Sequence, residues 1–270
     1  MSEPRILVTN DDGIESPGFR ALYDALETVG DPVAVAPYSN QSAVGRARSF
    51  EATVHEYELG YAVEGTPVDC VIAGVEVLCP DVDMVVAGCN KGANLGAYVM
   101  GRSGTVSAAV EAAFFDVPAI AVSQYVPTTE DEEFESITPP KEAYEDACDA
   151  AAYLVEESLD SGVFEQADYL NVNAPARDDV SGRPQMTVTE PSPLYAMGAS
   201  FDGDTIKLED RVWQRMQSGD IPDENGTDRR AVVDGKVSVS PLTAPHSVER
   251  HDHLDAVAAG YVDRPTTTTD

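Results

Sequence analysis

Four short runs constrain the fold of this chain more than anything else in it: residues 5–9 (RILVT), 32–36 (PVAVA), 83–87 (DMVVA) and 118–123 (PAIAVS). Each is rich in Val, Ile and Ala and apolar at odd and even positions alike. Neighbouring side chains of a strand point to opposite faces, so runs of this kind belong to strands buried on both sides. The segments between them carry helical spacing. Ser16 and Pro17 open a helix with Phe19, Leu22, Tyr23 and Leu26 on one stripe, and Gly30 ends it. Thr66-Pro67 opens a second helix running to about Leu78, a small-residue helix covers about 105–115, and another runs from Lys141 to about Leu159. The alternation predicts an α/β fold, a Rossmann-like three-layer core with a mainly parallel sheet covered on both faces.

Residues 169–172 add a further strand, and residues 52–64 alternate weakly, as a hairpin or an excursion from the main sheet. Beyond Pro175 the pattern changes to short strands (186–189 and 237–240) separated by acidic and glycine-containing loops. A chain of 270 residues suits one domain with an appendage better than two large cores. The division expected is a core over 1–175 and a C-terminal extension of hairpins over 176–270.

The charge balance limits the partners. Forty-eight Asp and Glu stand against 17 Lys and Arg, a formal net charge of −31, and the cations include only four lysines, Lys91, Lys141, Lys207 and Lys236. With no basic stripe to replace phosphate counterions, binding of duplex nucleic acid is not expected. Acidity spread along the whole chain reads as adaptation to high salt, where a Debye length of about 3 Å near 1 M screens the self-repulsion. Cys70, Cys79, Cys89 and Cys148 show no C-x-x-C spacing and are expected as buried thiols. The first residues, Met1 to Arg5, lack a signal-peptide core, and no apolar stretch approaches the ~20 residues that span a bilayer, so a cytoplasmic protein without membrane contact is expected.

Polar motifs follow the strands. Asn10-Asp11-Asp12-Gly13 ends the first; Asp11 and Asp12 share a ligand only if the chain turns after the strand, and Gly13 supplies a place for that turn. Two carboxylates so close repel one another unless a cation lies between them; alone, the motif is equally a solvated turn or a helix cap. Gly88 to Gly96 (GCNKGANLG) carries glycines at spacing four, suited to a loop that approaches an anion, although it matches no P-loop. Ser103-Gly104-Thr105 enters the small-residue helix, where free amides favour an anion and a hydroxyl equally makes a simple cap. Ser39 to Gly45 (SNQSAVG) is a polar loop after the second strand. In a parallel sheet all four gather on one edge, where open α/β folds bind their ligands.

Taken together these strings resemble the SurE family of stationary-phase survival proteins, which are 5′- and 3′-nucleotidases, some also cleaving short polyphosphate. The resemblance rests on residues 6–14 (ILVTNDDGI), 35–37 with 41–43, 65–71 (GTPVDCV), 88–96 and 103–106 (SGTV), and more loosely on 170–173 and 237–242. It implies that Asp11, Asp12, Ser42 and Asn90 bind one divalent metal ion per subunit. It also places Asn10, Gly13 and the Ser103-Gly104-Thr105 turn around the phosphate, and implies a C-terminal extension that exchanges between subunits of a dimer or tetramer. Tyr38, Arg46, Ala87 and Arg102 depart from the residues common in the family, with Arg102 open to an added phosphate contact. An all-oxygen ligand set suits Mg2+ or Mn2+ better than zinc.

The activity expected is hydrolysis of nucleoside 5′-monophosphates, and of 3′-monophosphates as a further possibility, by metal-activated water. In it Asp11 helps to take the proton and Asn90 stabilises charge on the phosphoryl group. The competing readings are a phosphatase with an aspartyl-phosphate intermediate, which usually wants Asp-x-Asp, and a nucleotide-binding stress module without turnover. The pair His251 and His253 has no further ligand nearby in sequence, and Lys91 is as well suited to solvent as to phosphate.

Overall fold

The computed structural model describes residues 3–128, 134–176 and 182–244. His246, His251, His253, part of the acidic loop expected over 126–140 and the tail expected to fray at 266–270 lie outside these residues. Strand β1 (Arg5–Thr9) leads into helix α1 (Pro17–Leu26), which starts as expected: the Ser16 side chain accepts from the Phe19 amide and Pro17 occupies the first turn. The helix proper stops at Leu26, and the chain tightens through hydrogen-bonded turns to Gly30, whose amide donates to the Leu26 carbonyl.

Then follow β2 (Asp31–Pro37), the hairpin β3 (Thr53–Tyr57) and β4 (Gly60–Glu64), α2 (Pro67–Ala73), β5 (Met84–Lys91), α3 (Ala97–Met100), α4 (Gly104–Phe114) and β6 (Ala119–Gln124). A capping box of Thr66 and Asp69 starts α2, which continues as a wider turn over Gly74–Leu78. After α5 (Glu145–Ser158) come β7 (Tyr169–Ala174), β8 (Met186–Val188), the hairpin β9 (Met197–Asp202) and β10 (Thr205–Asp210), α6 (Arg211–Ser218), α7 (Asp228–Val233) and β11 (Val237–Leu242).

The nine-stranded sheet runs β3-β4-β2-β1-β5-β6-β7-β11-β8, and the six strands from β4 to β7 are parallel. Two-faced burial is visible residue by residue. Ile6, Val8, Met84, Val86, Ile120 and Val122 enter one core with α1 and α5, while Leu7, Val85, Ala87, Ala119 and Ala121 enter the opposite core with residues of α2 and α4. The fold is therefore the Rossmann-like α/β architecture that the runs predict.

Two placements differ from the sequence reading. The hairpin expected over 52–64 does form, β3 antiparallel to β4, but it belongs to the main sheet and is no excursion from it, because β4 pairs in parallel with β2. The segment after Pro175 is more than hairpins and loops: β11 lies antiparallel against β7, β8 pairs with β11, and α6 and α7 pack a third core of Leu95, Val212, Met216, Ile221 and Val232. Among the described residues only β9 and β10 form a separate two-stranded sheet, with Phe201, Ile206 and Leu208 exposed.

Candidate active site

The chain moves from β1 to β2 on one side and reaches β5 on the other, so the sheet reverses its winding between β1 and β5. That switch point leaves a crevice at the carboxyl ends of the two strands. Asp11 follows β1 there. Its side chain is 3% exposed, and its Oδ1 accepts the Thr105 hydroxyl at 2.5 Å while the Thr105 amide adds a second bond. A Cβ on Gly104 would lie 2.7 Å from the Asp11 Cβ, so only glycine lets the start of α4 close on this carboxylate. Asp12, beside it, accepts the Lys91 amide at 2.8 Å. Burial pushes the Asp11 carboxyl up to about 6; the neighbouring Asp12 charge pushes the same way, against the Thr105 bonds. Burial raises Asp12 as well, opposed by the Lys91 amide and charge. Two inward carboxylates that both resist ionisation form a site that a cation would relieve.

The loop after β2 is tied to the same place, because the Gln41 amide donates to the Asp11 carbonyl at 2.6 Å and the Ser42 amide to Asn40 Oδ1 at 2.7 Å. Asn90 lies in β5 itself, not in a loop after it, since the strand continues to Lys91 through an irregular register with β6. Its Nδ2 donates to the Gly92 carbonyl at 2.6 Å, which turns Oδ1 the other way. Asp11, Ser42 and Asn90 line one cavity of about 440 Å3, with Arg102 and Ser103 also on its wall. That volume is in the range of small-molecule sites.

Asn10, Gly13, Gly104 and Thr105 stand behind this wall. Asn10 is fully buried; its carboxamide bonds Ser16 Oγ and both the amide and the carbonyl of Gly13, whose φ of +99° turns the chain after Asp12. In the structure Asn10 and Gly13 therefore build the turn, and neither lies on the cavity wall. Thr105 and Gly104 face Asp11, and Ser103 caps α4 by accepting the Val106 amide at 3.1 Å. Lys91 lies on the cavity wall, and its Nζ donates to the carbonyls of Phe134 and Ile137. The four thiols are free and buried, as expected.

Several residues support the site from behind. Buried Asn94 donates its amide to Asn173 Oδ1 at 2.7 Å, and its carbonyl accepts from Asn171 and Asn173. Asp228 accepts the Gly96 amide at 2.7 Å, and buried Arg229 reaches the Leu95 and Leu194 carbonyls. These contacts clamp the stretch after Asn90 from strands and helices far along the chain; Asn94, Asn171 and Asn173 fall in strings the sequence already singles out, whereas Asp228 and Arg229 carry no such signal.

Fold and site together define an open parallel α/β protein with a carboxylate-bearing ligand crevice at its switch point. A family model described as Survival protein SurE matches residues 6–193. 5′-nucleotidase SurE of Haloarcula marismortui is 66% identical over 261 residues, covering 97% of this chain and 96% of its own length. 5′-nucleotidase SurE of Halobacterium salinarum is 59% identical over 260 residues, covering 96% and 98%. The crystal structure of the SurE protein from Aquifex aeolicus matches with a TM-score of 0.72 at 30% identity, covering 97% of this chain and all of that one. The chain belongs to the SurE family. Its relatives among halophilic archaea agree with the reading of its acidity as adaptation to salt.

Proposed function

We propose that the protein is a divalent-metal-dependent phosphomonoesterase that converts nucleoside 5′-monophosphates, and 3′-monophosphates as a second substrate class, into nucleoside and phosphate. Water adds to phosphorus, the ester P–O bond breaks, and the departing sugar oxygen takes up a proton. The observation that carries this reading is the meeting of Asp11, Ser42 and Asn90, from three separate loops and strands, on one cavity beside Asp12.

The residues fit a hard cation: two carboxylates that burial makes reluctant to ionise, a serine hydroxyl, and a carboxamide whose free atom is its oxygen. Asp11, Asp12, Ser42 and Asn90 would hold one Mg2+ or Mn2+ per subunit. When bound, such an ion supplies positive charge to the phosphoryl oxygens and the attacking water.

The chain's own groups do the rest. Arg102 and Ser103 meet the phosphate, and Asn90 adds its dipole. Asp11, locked by Thr105 and Gly104, is placed to receive the proton of the water. Asn10 and Gly13 hold the turn that presents both carboxylates. The net charge of −31, with no basic stripe, disfavours nucleic-acid polymers, and the substrate is a single nucleotide. The reading includes a dimer or tetramer in the cytoplasm, with exchange between subunits carried by the exposed β9–β10 hairpin of the 176–270 extension; among the described residues no helix is long and apolar enough to cross a membrane.

The test is phosphate release from AMP or GMP in molar KCl. Release that stops with EDTA and returns with Mn2+ supports the reading. Turnover indifferent to the chelator removes the metal, and no turnover with any phosphomonoester removes the enzyme.

A further inference from the structure

The cavity is larger than a phosphate and its cation require, and its remaining wall has a different chemistry. Beyond β6 stands Tyr125, and across from it Trp213 of α6; their rings lie 6.4 Å apart between centroids and within 17° of parallel. Tyr125 follows Gln124, which pairs with Lys91 at the end of β5, and β5 adjoins β1. Two strand spacings separate the Tyr125 position from the end of β1, a lateral distance of about 10 Å from Asp11. A flat aromatic wall at this remove from the carboxylates leaves room for a sugar between the two ends.

Helix α6 is built to present that wall. Val212 and Met216, four residues apart, are buried in the third core; Trp213, offset by one position, packs against its edge as Tyr125 does, and with Gln217 it also lines the cavity. Gln217 Nε2 donates to Thr128 Oγ1 at 2.7 Å, which latches α6 to the segment that carries Tyr125. A phosphate has no use for such a surface, whereas every nucleobase has a π-face to lay on it.

We propose that the Tyr125–Trp213 ring pair receives the base of the nucleotide by stacking, and so makes the enzyme prefer nucleotides over phosphomonoesters that lack a base. The proposal rests on the phosphomonoesterase reading above.

Trp213 is the only tryptophan of the chain, which makes its fluorescence a direct reporter. With Mn2+ present in molar KCl, AMP should quench this emission saturably, and ribose 5-phosphate at equal occupancy should not. Base–aromatic stacking energies translate into roughly tenfold in affinity. Trp213→Ala should therefore raise KM for AMP about tenfold and leave kinetics on ribose 5-phosphate within about twofold, and Trp213→Phe should restore most of the preference.

Equal quenching by both ligands overturns the proposal. So does a Trp213→Ala variant that loses both substrates in the same proportion, which would mark the residue as structural. If the wild type releases no phosphate from any ester, the phosphomonoesterase reading fails by itself, and the selective quench by AMP still decides the stacking.

Discussion

Asp11 carries two opposed demands. Its proton is held up to about 6 against an ordinary value of 3.8, so between those pH values the folded protein binds more protons than the unfolded chain. Without metal, the contribution of Asp11 to stability is therefore full below 3.8 and lost as pH rises through 6, by about 3 kcal/mol in all. An asparagine never ionises and still accepts from Thr105. We expect metal-stripped Asp11→Asn to be about 2–3 kcal/mol more stable than wild type at pH 7.5 and nearly equal to it at pH 4, in urea melts at constant high KCl. A gap that does not change with pH would show that burial of Asp11 is not what perturbs it. The same variant, loaded with Mn2+, should be inactive; full turnover would remove Asp11 as the proton acceptor.

Between elements, the decisive contact is the approach of α4 to the end of β1. Gly104 begins α4 without a positive φ, so its requirement is space: a methyl group there meets the Asp11 side chain. Gly104→Ala should displace Asp11 and reduce kcat about 100-fold, the scale expected for a misplacement near 1 Å, and cost about 1–2 kcal/mol of stability, because the clash in a packed interior outweighs alanine's preference for a helix. Calorimetric titration of Mn2+ should show weaker binding in parallel, and unaltered binding with unaltered kcat would refute the cradle. The clamp on Asn94 is a second test. Asn173→Ala removes the acceptor of a buried amide and should cost about 2 kcal/mol by chemical denaturation, with turnover falling as the strand end that carries Asn90 loosens.

For the molecule as a whole, the surplus of carboxylates is the controlling quantity. Ion pairs such as Arg46–Glu111 at 2.7 Å and the buried approach of Arg229 to Asp223 at 3.7 Å engage a few acids, and 17 cations cannot answer 48. Self-repulsion on this scale weakens with screening. The melting temperature should climb steadily between about 0.2 and 2 M KCl, measured by circular dichroism at fixed pH. A midpoint indifferent to salt would separate the acidity from adaptation to it.

The amino-acid sequence by itself determined the strands buried on two faces, the caps at Ser16, Thr66 and Ser103, and the polar strings that follow the strands. All of these depend on residues close in the chain: side-chain alternation, Pro at a helix start, a hydroxyl three residues before an amide. The tertiary structure alone decided the order of the strands, and with it the reversal between β1 and β5 that sets Asp11 beside Asn90. It alone decided that β5 runs on through Asn90, that Asn10 faces the turn and Thr105 faces Asp11, and that Tyr125 meets Trp213. Those pairings join segments distant in sequence, and no local period or spacing encodes them. They follow from which faces the whole chain buries together, and only the folded molecule answers that.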